Sequence, residues 1–160
     1  MELRNCIALV TGAAGGLGQA ICRALAAEGA MIAVHYNTQQ QAARELASEL
    51  ASEYDRDSAI FQADIGAADQ ARRLVDRVVE QMGGLDTLIN NAGITIGGQS
   101  VVDRPLDDWH EVVDVNLHSV LYMSKAALPH MWQRESGSVI NIASNVRQYV
   151  ARWSSSLRSD

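Results

Sequence analysis

The stretch CIALVTGAAGGLG, residues 6 to 18, decides the fold. Its first half is apolar on consecutive positions, as a strand buried on both faces requires. Its second half is a glycine loop that runs into the helical pattern GLGQAICRALAAEG at 16 to 29. Between a buried strand and a helix, such a loop turns backbone amides and the positive end of the helix toward an anion. Within TGAAGGLG, Gly12 permits a tight turn, Gly16 lets the backbone approach a pyrophosphate, and Gly18 lets the helix pack closely. The same glycines would also suit a turn that only joins strand to helix, and the order of elements around them weighs against that.

Outward from the loop, apolar runs alternate with helical patterns. MIAVHY at 31 to 36 is followed by a helix over TQQQAARELASELASEY, then by SAIFQAD at 58 to 64. AADQARRLVDRVVEQMG reads as a third helix before LDTLINNAG at 85 to 93, and one long helix from Leu106 to Trp132 leads to GSVINIAS at 137 to 144. This βαβαβ order predicts an α/β, doubly wound parallel sheet of Rossmann type, incomplete, with strand order 3-2-1-4-5 and a crevice at the carboxyl ends of strands one and four. A dinucleotide-binding domain over 1 to 145 and an irregular tail over 146 to 160 follow from the pattern. Gly29, Gly83 with Gly84, and Gly137 stand just past helix ends, where a left-handed cap is expected.

Composition narrows the function. Of 160 residues, 48% are hydrophobic, enough for one packed core. The formal net charge of -6 argues against nucleic acid or an anionic membrane surface as partner. MELRNCIALVTGAAGG is too short an apolar run for a signal sequence, and no stretch approaches the roughly 18 apolar residues of a membrane span, so a cytoplasmic protein is expected. Cys6 and Cys22 lack CxxC spacing and read as core thiols. His35, His110, His118 and His130 show no metal-ligand spacing, so packed or solvated imidazoles and no metal are expected.

The spacing TGxxxGxG of Gly12, Gly16 and Gly18 resembles the short-chain dehydrogenase/reductase family. NNAG at 90 to 93, VNLHS at 115 to 119 and INIAS at 140 to 144 resemble three further motifs of that family, in order and at its intervals over residues 3 to 145. The likeness extends to its 3-oxoacyl-carrier-protein reductase-like members. It implies an NAD(P)-dependent oxidoreductase exchanging hydride between nicotinamide and a small carbonyl or alcohol substrate. Thr11, Gly12, Gly16, Leu17, Gly18 and Tyr36 would bind the cofactor; Asn91, Ala92 and Gly93 would line its adenosine and ribose side, and Asp64 with Ile65 would cap the adenine. Asn116 and Ser144 would be catalytic, one placing a relay water and the other holding the substrate oxygen. Read without the resemblance, Asn90 and Asn91 could be turn formers, Asn116 a tolerated helix residue and Ser144 a strand-end cap. Homo-oligomers form in the family through the helix here at 106 to 132 and one that follows the catalytic tyrosine.

The end of the second strand reads Tyr36, Asn37, Thr38 with no acid, and a carboxylate there would select NAD by bonding the ribose 2′-hydroxyl. NADP(H) is therefore favoured over NAD(H), with Asn37 and Thr38 as phosphate donors. The resemblance also implies a YxxxK pair about a dozen residues after Ser144. Tyr149 is followed at the fourth position by Trp153, so the pair is absent and the 160 residues are expected to be inactive. Read one nucleotide out of frame, one choice of synonymous codons for residues 152 to 160, continued through a TAA stop and a following G, gives GGLPAYAATK, with a tyrosine where Leu157 stands and a lysine four later. A chain cut short by a frameshift near residue 152 is the expectation. The alternative is a non-catalytic nucleotide-binding or interaction module.

Overall fold

The computed structural model describes residues 3–96 and 102–143. Ser144, the expected tail over 146–160 and the codon argument drawn from it lie outside the described residues. Five strands form one parallel sheet: β1 (Ile7–Val10), β2 (Met31–Tyr36), β3 (Ser58–Gln62), β4 (Thr87–Asn90) and β5 (Ser138–Asn141), in the order β3-β2-β1-β4-β5 that the sequence predicts. Leu9 is the hub of the register, lying opposite Ala33 of β2 and Leu88 of β4.

Two helix layers cover the sheet and explain why its inner strands carry apolar residues on consecutive positions. Ile7 and Leu9 point to one side with Phe61 and Leu88, against α3 (Ala68–Met82) and α5 (Ser119–Gln133). Ala8 and Val10 point to the other with Ile32 and Val34, against α1 (Gly16–Ala27) and α2 (Gln40–Tyr54). In α3 the buried residues Ala71, Leu74, Val75 and Val78 follow the three-and-four spacing of one helical face. Burying each of its larger side chains contributes about 1.5–3 kcal/mol.

The structure modifies the sequence reading at two places. The long helix is not continuous: α4 (Leu106–Val113) passes into one π-helical turn, Asp114–His118, before α5 begins. One extra residue in a turn shifts the phase of all that follow by about 100°. Asn116 thereby faces the exit of β4, while Ser119, Met123, Ala127 and Met131 all point into the core. Pro129 sits on the exposed side of α5, where water can reach the carbonyl its missing N–H leaves free.

The helix ends also differ from the sequence expectation. Gly29 and Gly83 take the expected left-handed conformation, whereas after α5 that role falls to Glu135, with φ of 51°, and not to Gly137. Gly137 is needed for space, since a Cβ there would lie 2.5 Å from Cγ of Met131. Gly84 is likewise not left-handed.

Candidate functional site

A crevice of about 570 Å³ opens where β1, β2, β3 and β4 end. Its floor is the glycine loop. Gly12, with φ of +62°, turns the chain, and a Cβ on it would come within 2.9 Å of the Ala92 Cα. A Cβ on Gly18 would sit 2.3 Å from the Gly12 carbonyl oxygen, so helix and loop are in backbone contact there. Around a Cβ on Gly16, by contrast, nothing lies within 4 Å. That position faces open space at the first turn of α1.

Helix α1 has no side-chain cap at its N-terminus. Gly15 N–H donates to the Gly12 carbonyl and Gln19 N–H to that of Gly15. The amides of Gly16, Leu17 and Gly18 are left without a partner inside the helix, as the first amides of any helix are. Unpaired donors and the positive end of the helix dipole make this an anion site by construction.

Thr11 is buried beneath the crevice and does not line it. Its hydroxyl accepts from the backbone N–H groups of Asn91 (2.9 Å) and Ala92 (3.0 Å) and donates to the Ile89 carbonyl (3.3 Å). Asn91 returns the contact, its Nδ2 donating to the carbonyls of Thr11 (2.9 Å) and Gly12 (3.3 Å). Asn90 bolts neighbouring elements together instead, with Nδ2 donating to Asn141 Oδ1 on β5 at 2.8 Å and to Ser124 Oγ on α5 at 3.4 Å. The NNAG segment is thus a cross-tie between strand exits, with Asn91, Ala92 and Gly93 forming one wall of the crevice.

Tyr36, Asn37 and Thr38 line the crevice at the exit of β2, and Asp64 with Ile65 line it beyond the exit of the neighbouring β3. Asp64 is fixed at the start of α3: its Oδ1 accepts from Gly66 N–H (3.0 Å) and its own N–H donates to Gln70 Oε1 (3.1 Å). Gln62 Nε2 approaches the Oδ1 of Asn37 at 3.5 Å, which leaves the Nδ2 donor of Asn37 turned elsewhere. Asn116 is exposed beside Ile94 and is not among the residues that line the crevice. Its Nδ2 donates to the Ile94 carbonyl (2.9 Å) and its Oδ1 accepts from Ile94 N–H (2.7 Å), a two-point lock between the π-helical turn and the exit of β4. Every other expected cofactor residue lines the crevice.

Sequence reasoning missed several lining residues: Ala14 and Gly15 of the loop, His35, Gln39, Ile94, Glu111 and Val115. Glu111 and Val115 enter only because α4 and the π-helical turn pack across the β4 exit. Neither Lys nor Arg is among the described lining residues; the charged ones are Asp64 and Glu111. Among the described residues no three His, Cys, Asp or Glu side chains converge as metal ligands, and no helix is long and apolar enough to cross a membrane. Burial pushes the Cys22 thiol up to about 12, which makes it an inert core group.

His35 is buried within β2. Gly12 N–H donates to its Nδ1 at 3.1 Å, so that nitrogen is unprotonated and Nε2–H donates to the Ala63 carbonyl, also at 3.1 Å. Burial lowers its pKa to about 4, against the opposing pull of the Ala63 carbonyl and the Asp64 charge. The unfolded chain protonates His35 near its ordinary 6.5, the folded chain only near 4. Between those values the unfolded state binds more protons, so the contribution is fully present above pH 6.5 and is lost as pH falls toward 4, by up to about 3 kcal/mol. Urea unfolding from pH 8 to 4.5 should show this slope and should show it reduced in His35→Asn; parallel losses in both proteins would refute the assignment.

The chain has known relatives. The profile of the short chain dehydrogenase family matches residues 6–155. The 3-oxoacyl-(acyl-carrier-protein) reductase FabG of Staphylococcus aureus is 37% identical over 139 residues, covering 87% of this chain and 56% of that protein. Among solved structures, a short chain dehydrogenase from Burkholderia cenocepacia in complex with NADP superposes with a TM-score of 0.85 at 35% identity, over 94% of this chain and 60% of the other. A blue fluorescent protein from a metagenomic library in complex with NADPH gives 0.82 at 33% identity, over 95% and 61%. The chain therefore spans little more than half the length of these relatives.

Proposed function

Because the chain belongs to the short-chain dehydrogenase family, we propose that its crevice binds a nicotinamide adenine dinucleotide and that the protein it represents is an NAD(P)-dependent oxidoreductase acting on a small carbonyl or alcohol. One observation carries the reading: the uncapped first turn of α1 faces a crevice walled by four strand exits, with open space where Gly16 would carry a side chain. A dinucleotide fits that chemistry, since its pyrophosphate matches free amides and a helix N-terminus.

The amides of Gly16, Leu17 and Gly18 would take the pyrophosphate. Asn91, Ala92 and Gly93 would flank the adenosine ribose, and Asp64 with Ile65 the adenine. Thr11 and Asn91 keep the first and fourth strand exits at a fixed separation, and Asn116 holds the exit of β4 against the π-helical turn. When bound, the nicotinamide gives or takes a hydride at the substrate carbon. The family's proton donor comes from YxxxK, a spacing found nowhere in these 160 residues, so the work assigned to this stretch is gripping and orienting the cofactor. Ser144, placed by resemblance at the substrate oxygen, belongs to the same proposal.

NADP(H) is the preferred cofactor in this reading. No acid stands among Tyr36, Asn37 and Thr38 to meet a 2′-phosphate, and both structural relatives described above carry NADP(H). With no Lys or Arg among the described lining residues, the phosphate would rely on neutral donors from Asn37, Thr38 and Gln39. Asn37→Asp places a carboxylate there in the same shape. NADPH affinity is expected to fall about tenfold or more while NADH affinity changes little, as read by nucleotide fluorescence titration. Equal loss of both, or of neither, would contradict the placement. Leu106, Trp109, Leu117, Leu121 and Trp132 are exposed along α4, the π-helical turn and α5, which supports the helix at 106–132 as the assembly surface of the oligomer the family forms.

A further inference from the structure

We propose that His35 is a positioning residue for the dinucleotide: as the Nε2–H tautomer it is the acceptor that fixes the Gly12 amide, and so sets the line of the glycine loop on which the pyrophosphate would rest. The inference rests on the crevice being a dinucleotide site. His35 holds the loop twice, since its Nδ1 accepts from Gly12 N–H at 3.1 Å and its backbone carbonyl from Ala13 N–H at 3.0 Å. The other ring nitrogen reaches the exit of β3 through the Ala63 carbonyl, one residue before Asp64. The ring thus spans the two segments that would carry the phosphates and the adenine.

His35 is 2% exposed; its bond to Ala63 is buried and its bond to Gly12 part-buried. Gly12 N–H is the amide that must stay out of the crevice if the loop is to present those of Gly16 to Gly18. Without an acceptor at position 35 this part-buried amide loses its partner, and the turn relaxes to find another. Asp64 is the charged group that bears on the ring.

Two substitutions separate the bonds. In His35→Asn the amide oxygen stands near the place of Nδ1 and can still accept from Gly12. In His35→Gln the polar atoms stand one bond further out, nearer Ala63, and the Gly12 acceptor is lost. NADPH and NADH titrations of the purified chain are expected to give His35→Asn within about threefold of wild type and His35→Gln weaker by about tenfold or more, at matched circular dichroism spectra. Proton–nitrogen correlation spectra of the wild-type ring should show Nδ1 unprotonated and Nε2 protonated, a readout that needs no variant to fold. A protonated Nδ1 overturns the proposal, as does His35→Gln binding as well as wild type, which would leave the dinucleotide reading standing. Wild-type protein of the expected tautomer that binds neither nucleotide overturns both.

Discussion

Gly18→Ala is expected to destabilise the fold by about 2–4 kcal/mol. The added methyl would stand 2.3 Å from the Gly12 carbonyl oxygen, 2.7 Å from the Ala13 Cα and 3.0 Å from the Ala13 carbonyl carbon, and all three are backbone atoms that no rotamer change can move. Gly12 cannot retreat, because its α-carbon is already closed in by Ala92 and its amide is held by His35. The helix must therefore slide outward by about 1 Å, losing packing of Cys22 and Ala26 against the sheet. Alanine's better helix propensity offsets only about 1 kcal/mol of this. Denaturant unfolding reads the change, and an unaltered midpoint would mean that α1 does not sit against the loop as described.

Thr11→Val is the second large effect, expected at about 3 kcal/mol. Valine has nearly the shape of threonine, so packing is kept while the hydroxyl is removed. Two part-buried amides, Asn91 N–H and Ala92 N–H, then lose the one acceptor they share, at about 1–3 kcal/mol for each donor left unpaired. Thr11→Ser keeps the oxygen and gives up only a methyl, which should cost about 1 kcal/mol. The ordering of the two variants is the test: a valine variant as stable as the serine variant would show that the hydroxyl does not tie β1 to β4.

The sheet was legible in the sequence because burial on both faces writes consecutive apolar residues, and MIAVHY marks β2 from first residue to last. Right-handed crossovers then left one economical strand order. The walls of the crevice followed, because each is the continuation of a strand. What escaped were features built by contacts across the chain. DVNLH keeps an apolar rhythm with no glycine or proline, so nothing in it announces a π-helical turn; that turn is where Asn116 meets Ile94, 22 positions away. Glu111 and Val115 reach the crevice for the same reason. His35 looked like a packed imidazole, which it is, but its partners Gly12 and Ala63 lie 23 and 28 positions away in the chain. Gly137 misled because a glycine just past a helix has two uses, and here steric room for Met131 was the operative one.

Titration of the chain and of Gly16→Asp with NADPH and NADH tests the central claim most directly. The substituted side chain has room, and a carboxylate in the first turn of α1 favours the helix by about 0.3–1 kcal/mol, so melting should be unchanged or slightly raised. The same carboxylate would occupy the space and oppose the charge of the pyrophosphate. Saturable binding by the unmodified chain, weakened about a hundredfold or more in Gly16→Asp at equal stability, is the result this account predicts. A folded chain that binds neither nucleotide, or a Gly16→Asp variant that binds undiminished, would contradict it.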